Sequence, residues 1–100
     1  MEEKIAIITI SFYSTLRNVS GEASTQLSVP LKSTLQSLLQ QIEQKYFLPK
    51  GLHILSQDGS MLEAGIICLI NDADVSLLGG LKHKLTANEA ITLISSLHGG

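Results

Sequence analysis

The sequence predicts an α+β domain: a mixed sheet of four to five strands packed on one main helix, with a C-terminal Gly-Gly tail projecting from it. Three observations predict this. Residues 4–13 and 25–31 alternate in polarity at the period of a strand, and 35–46 switch to the period of a helix. Strand-like runs then return at 66–70 and 90–97. A hairpin, a helix and further strands, in that order, lay one helix across one sheet.

In the first run Ala6, Ile8, Ile10 and Phe12 fall on one face, and Ile5, Ile7, Thr9, Ser11 and Tyr13 on the other. Arg17 to Glu22, with Asn18, Ser20 and Gly21, has turn chemistry. Thr25, Leu27, Val29 and Leu31 alternate next, and Pro30 predicts that this strand stops there or lies at an edge. Ser33 is the expected N-cap, with Gln36 at capping-box spacing. Leu35, Leu38, Leu39, Ile42 and Tyr46 form one apolar helical stripe, opposite Gln36, Gln40, Gln41, Glu43 and Gln44; Pro49 and Gly51 stop the helix.

Residues 52–62 are irregular, with a turn at Gln57-Asp58-Gly59-Ser60. Ile66 to Ile70 is apolar without alternation, as in a central strand with both faces covered. Asn71-Asp72-Ala73-Asp74 reads as a turn, lacking the glycine and distal glutamate of a calcium loop. Leu77 to Leu85 is expected to hold a short strand broken by Gly79-Gly80. After a turn at 86–89, Ala90 to Leu97 is the last strand, with Ile91 and Leu93 on one face and Thr92 and Ile94 on the other. The helix stripe should therefore meet Ile8, Ile10, Leu27, Cys68, Ile91 and Leu93. We expect one domain over 1–94 and a flexible tail over 95–100.

Composition narrows the function. With 44% apolar residues the chain can bury a core, and its single cysteine, Cys68, cannot form an internal disulfide. That count and the lack of a signal-peptide pattern predict a cytoplasmic protein. The net charge is −2 and the seven basic residues are scattered, so neither direct nucleic-acid binding nor membrane association is expected. Lys82-His83-Lys84 is the one local cluster, with a solvated turn as its default reading. His53 and His83 lack metal-site spacing, so no metal is expected, and Cys68 reads as a buried inert thiol. No Gly-x-x-x-x-Gly-Lys-Ser/Thr loop and no Cys-x-x-Cys pair is present, and no catalytic constellation can be assembled, so the chain reads as a non-enzyme.

The order of elements and the terminal Gly99-Gly100 resemble the β-grasp sulfur carriers and ubiquitin-like modifiers, the MoaD/ThiS-like group. Phe12-Tyr13-Ser14-Thr15-Leu16-Arg17 with Gly21 resembles the opening of molybdopterin-synthase small subunits. Leu69-Ile70-Asn71-Asp72-Ala73-Asp74, Leu77-Leu78-Gly79 and Ile94-Ser95-Ser96-Leu97-His98-Gly99-Gly100 are similar to the ubiquitin-related modifier family, which thiolates tRNA. Molybdopterin carriers usually show an aromatic residue and two prolines before the glycines. Ile94, Ser95 and Ser96 stand there instead, which favours the tRNA-thiolation and modifier branch.

The resemblance implies a carrier with no bound cofactor, whose Gly100 is adenylated by a ubiquitin-activating-like enzyme using ATP. A persulfide on a rhodanese-like sulfurtransferase then attacks the acyl-adenylate, and reductive cleavage leaves a thiocarboxylate on Gly100. The sulfur acceptor would be a tRNA thiolase, for wobble-uridine 2-thiolation, or in the alternative a molybdopterin-synthase large subunit. Lysines of target proteins are further acceptors in conjugation. Gly99 gives clearance in the partner's narrow site because it lacks a Cβ, and His98 and Leu97 line its entrance. If Cys68 and Leu93 face the helix, then Ile67, Leu69 and Ile94 face away and form an apolar partner-binding patch. A β-grasp interaction module whose tail is never activated is the alternative of another class.

Overall fold

A computed structural model describes residues 4–96. Its elements are β1 (Ile5–Tyr13), α1 (Thr15–Ser20), β2 (Ser24–Pro30), α2 (Leu35–Ile42), β3 (Ile66–Ile70), β4 (Ala73–Asp74) and β5 (Ala90–Ser95). The five strands form one mixed sheet in the order β2-β1-β5-β3-β4. β1 and β5 run parallel, and the other neighbours are antiparallel. The main helix, α2, packs on one face, giving a β-grasp fold.

The alternation in β1 decides which face is covered. Ala6, Ile8, Ile10 and Phe12 are fully buried, while Ile5, Ile7 and Tyr13 remain exposed on the other face. Leu35, Leu38, Leu39 and Ile42 of α2 meet the inner side chains, joined by Ile91 and Leu93 of β5 and Cys68 and Ile70 of β3. Burying such side chains contributes about 1.5–3 kcal/mol each, which is the main force closing the helix on the sheet.

Several elements differ from the sequence reading. Between β1 and β2 there is a helical turn, α1, because Leu16 inserts into the core and Val19 packs behind it. Gly21 ends α1 at φ 76°, a left-handed conformation open to glycine. The N-cap of α2 is Thr34, whose hydroxyl accepts the Ser37 N–H at 3.2 Å. Ser33 is not available for that role, since its hydroxyl donates to the Pro30 carbonyl at 2.6 Å and closes the turn after β2. Gln36 reaches the Gly59 carbonyl instead of completing a capping box.

The helix stripe also shifts by one residue. α2 continues into a π-helical turn over Glu43–Phe47 and then a 3-10 turn over Leu48–Lys50, ended by Gly51 at φ 75°. A wider turn admits one extra residue, so Phe47 rather than Tyr46 follows Ile42 into the core. Phe12 packs edge-on against both rings, at 5.6 Å from Phe47 and 5.5 Å from Tyr46. Glu43 then ties down the following loop: its Oε2 accepts the N–H of Ile54 at 2.8 Å and of Leu55 at 2.9 Å.

Residues 77–85 hold no strand. Val75–Leu78 and Gly80–Lys82 are 3-10 turns on either side of Gly79, and the strand beside β3 is the two-residue β4. The hairpin from β3 to β4 turns at Asn71 and Asp72, both at positive φ. The middle of the sheet is β5, not β3, and β3 is covered on its inner face only: Ile67 is 38% exposed. β5 ends at Ser95; Leu97, expected in that strand, lies outside the described residues.

Candidate partner-docking face

The outer face of the sheet carries a row of side chains built by three strands. Parallel pairing sets Tyr13 of β1 beside Ile94 of β5, and antiparallel pairing sets Ile94 beside Ile67 of β3. Cys68 and Leu93 are buried on the helix side, so Ile67, Leu69 and Ile94 point away from it. Tyr13 is 47% exposed, while Ile94 and Leu69 are half-buried by their strand neighbours. Leu69 pairs with Thr92, one step further from the C-terminal end of β5.

The row sits where the described chain ends. Ser96 donates its N–H and its hydroxyl to the Gly65 carbonyl, at 2.7 and 3.1 Å, anchoring the segment after β5 beside β3. Leu97, His98, Gly99 and Gly100 lie outside the described residues. The structure thus brings together Ile94, Ile67 and Leu69.

Two further residues belong to this surface and were not singled out as site residues from sequence. Tyr13 completes the row, and the Arg17 guanidinium lies 6.0 Å above its ring, a cation–π contact from α1. Among the described residues no carboxylate forms an ion pair with Arg17. Tyr13 was legible as an outward residue of β1, but its place next to Ile94 depends on a parallel pairing between strands far apart in sequence. Tyrosine and arginine are the types enriched where binding energy concentrates.

Other candidates separate from this face. Cys68 is buried, and desolvation, reinforced by the Asp74 charge, pushes its thiol up to about 12. His83 holds the Glu89 carboxylate through Nε2 at 3.0 Å. Two shallow hollows lie around Ser56–Asp58 and around His53 and Glu63, on loops that Gln36 and Glu43 tie to the helix side. Among the described residues no group of three metal-ligating side chains converges, and no helix is long and apolar enough to cross a membrane.

The chain matches the family model for Urm1 (ubiquitin related modifier) over residues 7–100. It is 31% identical to the ubiquitin-related modifier 1 homolog of Caenorhabditis elegans over 97 residues, which covers 93% of this chain and 95% of that one. Among solved structures it is similar to Urm1 from Trypanosoma brucei, with TM-score 0.75 and 28% identity over 99% of this chain and 100% of that one. It is also similar to a chain in the Amycolatopsis orientalis BexX/CysO complex, with TM-score 0.64 and 26% identity over 93% of this chain and 99% of that one. A sheet that buries one face on α2, a family match across nearly the whole chain and a relative 31% identical along its length agree: this protein belongs to the ubiquitin-related modifier family.

Proposed function

We propose that this chain is a sulfur carrier and protein modifier that reacts through the Gly100 carboxylate, most directly for 2-thiolation of tRNA wobble uridine. The observation that carries the reading is the family match, which extends through Gly99 and Gly100. A carboxylate is a poor electrophile, so it needs a leaving group. A Gly100 oxygen attacks the α-phosphorus of ATP in an adenylating partner and expels pyrophosphate. The terminal sulfur of a persulfide on a rhodanese-like partner attacks the acyl-adenylate and expels AMP, forming an acyl disulfide. A thiol then attacks the partner's cysteine sulfur in that bond. The thiocarboxylate is released, and the thiol is left in a disulfide with the partner. A target lysine meeting the activated carbonyl would form an isopeptide bond instead. Glycine at positions 99 and 100 lets the backbone pass where a Cβ would collide, with Leu97 and His98 at the channel mouth.

The Tyr13–Ile94–Ile67 row, with Leu69 and Arg17 beside it, is the docking surface we assign to the adenylating partner. It is apolar, lacks a cover among the described residues and adjoins the segment that leads to the tail. The Amycolatopsis relative's structure is a complex with another protein, which supports docking of this chain on a protein partner. Acceptance by a tRNA thiolase rests on the family; a molybdopterin-synthase large subunit is disfavoured by Ser95 and Ser96 where that branch carries prolines.

The test is intact mass after incubation with ATP, the adenylating enzyme and a persulfide donor. We expect one oxygen to be replaced by sulfur, and the gain to vanish when Gly100 is deleted. No gain from an enzyme active on a control carrier would sink the reading and leave an unactivated interaction module. Tyr13→Ala should raise KM for this protein by about tenfold, with kcat little changed.

A further inference from the structure

Leu77 is 78% exposed and Leu78 38%, on a turn fixed at both ends. Asp74 accepts the Ser76 N–H at 2.8 Å, Val75 is anchored in the core, and Gly79, at φ 97°, donates its N–H to the Val75 carbonyl. The exposure of Leu77 is therefore a property of an ordered turn. The next turn leads into a strap where exposure alternates: Lys82 and Lys84 are exposed, His83 is half-buried and Leu85 buried. Of the acids near this strap, Asp74 is exposed and committed to the cap of the Leu77 turn, whereas Glu89 is turned inward. Glu89 accepts the Thr86 N–H at 2.7 Å and meets His83 at 3.0 Å, and its side chain is 10% exposed. Among the described residues no carboxylate forms an ion pair with either lysine. Lys32, exposed as well, joins the same strap through its N–H to the Leu85 carbonyl. Two of the chain's seven basic residues thus sit on this strap and a third on the turn hydrogen-bonded to it, in a protein with net charge −2.

We propose that Leu77 with Lys82 and Lys84 is a second docking surface, for an acidic segment of a partner protein that also presents an apolar side chain. Charge complementarity selects the acids, and the exposed leucine selects an apolar neighbour for them. Nucleic acid fits less well. A phosphate backbone has nothing to cover Leu77, and two lysines on a short strap do not follow a phosphate repeat. The surface is also set apart from the end of β5. β4, which leads into the turn, pairs with Leu69 and Ile70, whereas Ser95 pairs with Ile66 at the opposite end of β3. A partner held here leaves Ser96, where the described chain ends, uncovered.

The experiment is an amide NMR titration of the full chain with a short peptide of alternating glutamate and leucine. A glutamine-leucine peptide and single-stranded oligouridylate are run beside it. We expect saturable, salt-sensitive shifts at residues 76–79 and 82–84, and binding about tenfold weaker or worse for the glutamine peptide. Paired Lys82→Glu and Lys84→Glu substitutions should weaken binding about tenfold, and Leu77→Ser about fivefold. These side chains are exposed, so unchanged shifts elsewhere would certify the fold. Equal binding of both peptides, shifts confined to other residues, no shifts at millimolar peptide, or the same shifts with oligouridylate would overturn the proposal. Sulfur loading of Gly100, read on the same variants, should be unchanged, so this surface and the proposed function stand or fall separately.

Discussion

Glu43, with Gln36, is a side chain through which the helix holds the long connection to β3, and its removal should be felt throughout the domain. One oxygen, Oε2, accepts two backbone N–H groups, from Ile54 at 2.8 Å and Leu55 at 2.9 Å. The side chains of those residues are 0% and 2% exposed, so the loop cannot swing out to rehydrate its amides without uncovering core. A buried donor left without a partner costs about 1–3 kcal/mol. Two buried donors that share one acceptor put Glu43→Ala at about 2–4 kcal/mol. Against a total stability of about 5–15 kcal/mol this is a large fraction, and it corresponds to a fall in Tm of about 10–20 °C. Glu43→Gln keeps an acceptor oxygen and loses only the charge assistance, so about 1 kcal/mol is expected. Urea unfolding followed by circular dichroism gives both values, and hydrogen exchange at the Ile54 and Leu55 amides localises the effect. An alanine variant within about 0.5 kcal/mol of the parent would refute the reasoning. So would a glutamine variant as damaged as the alanine one, because acceptor count would then not be the cause.

Two further predictions concern titrating groups. Asp58 accepts the Ser60 hydroxyl and N–H and the Ser56 hydroxyl, and these bonds lower its carboxyl from 3.8 to about 2. A depressed folded-state value means stabilisation that is complete above the unfolded value and lost as pH falls from about 4 through about 2. Asp58→Asn should flatten that part of the acid unfolding profile; an unchanged profile would refute the role of the three bonds. Cys68, pushed up to about 12, should have on the order of one thiolate in ten thousand at pH 8. Its alkylation by iodoacetamide should therefore track global unfolding in urea, and rapid labelling of the native protein would contradict its burial.

Features whose cause is local were legible in the sequence. The alternation of Ala6, Ile8, Ile10 and Phe12 and the stripe from Leu35 to Ile42 each record one element's exposure to one core, and both appear as read. The misread features depend on contacts between distant segments. Nothing near Tyr46 shows that the helix widens and so sets both Tyr46 and Phe47 edge-on against Phe12 of the distant β1. α1 is a single short helix held by Leu16, too brief to produce a period. The segment after β4 was read as strand from its leucines, but Gly79, at φ 97°, and the Asp74 cap impose turns. The candidate face shows the same division. Which residues of β3 and β5 point outward follows from alternation, whereas Tyr13 enters only through the β1–β5 pairing.

The apolar run of β3 raises a physical question that the pairing pattern answers in part. A run without polar alternation suits a strand covered on both faces, yet only the inner face, with Cys68 and Ile70 buried and Ile66 packed partly against them, meets the core, and Ile67 is 38% exposed. Ile5 and Ile7 are more exposed still, but they lie on β1 before Thr9, the first residue to pair with β5. Ile67 instead continues a row through Ile94 to Tyr13, where three strands are in register beside the anchored Ser96. The members of that row are not equivalent as probes. Ile94 is half-buried between β1 and β3, so truncating it disturbs the sheet together with any contact made outside it. Tyr13, 47% exposed, and Arg17, stacked above its ring, can be changed with little effect on the core. A loss of partner affinity in Tyr13→Ala with Tm preserved would therefore belong to docking, whereas the same loss in an Ile94 variant would remain divided between docking and fold.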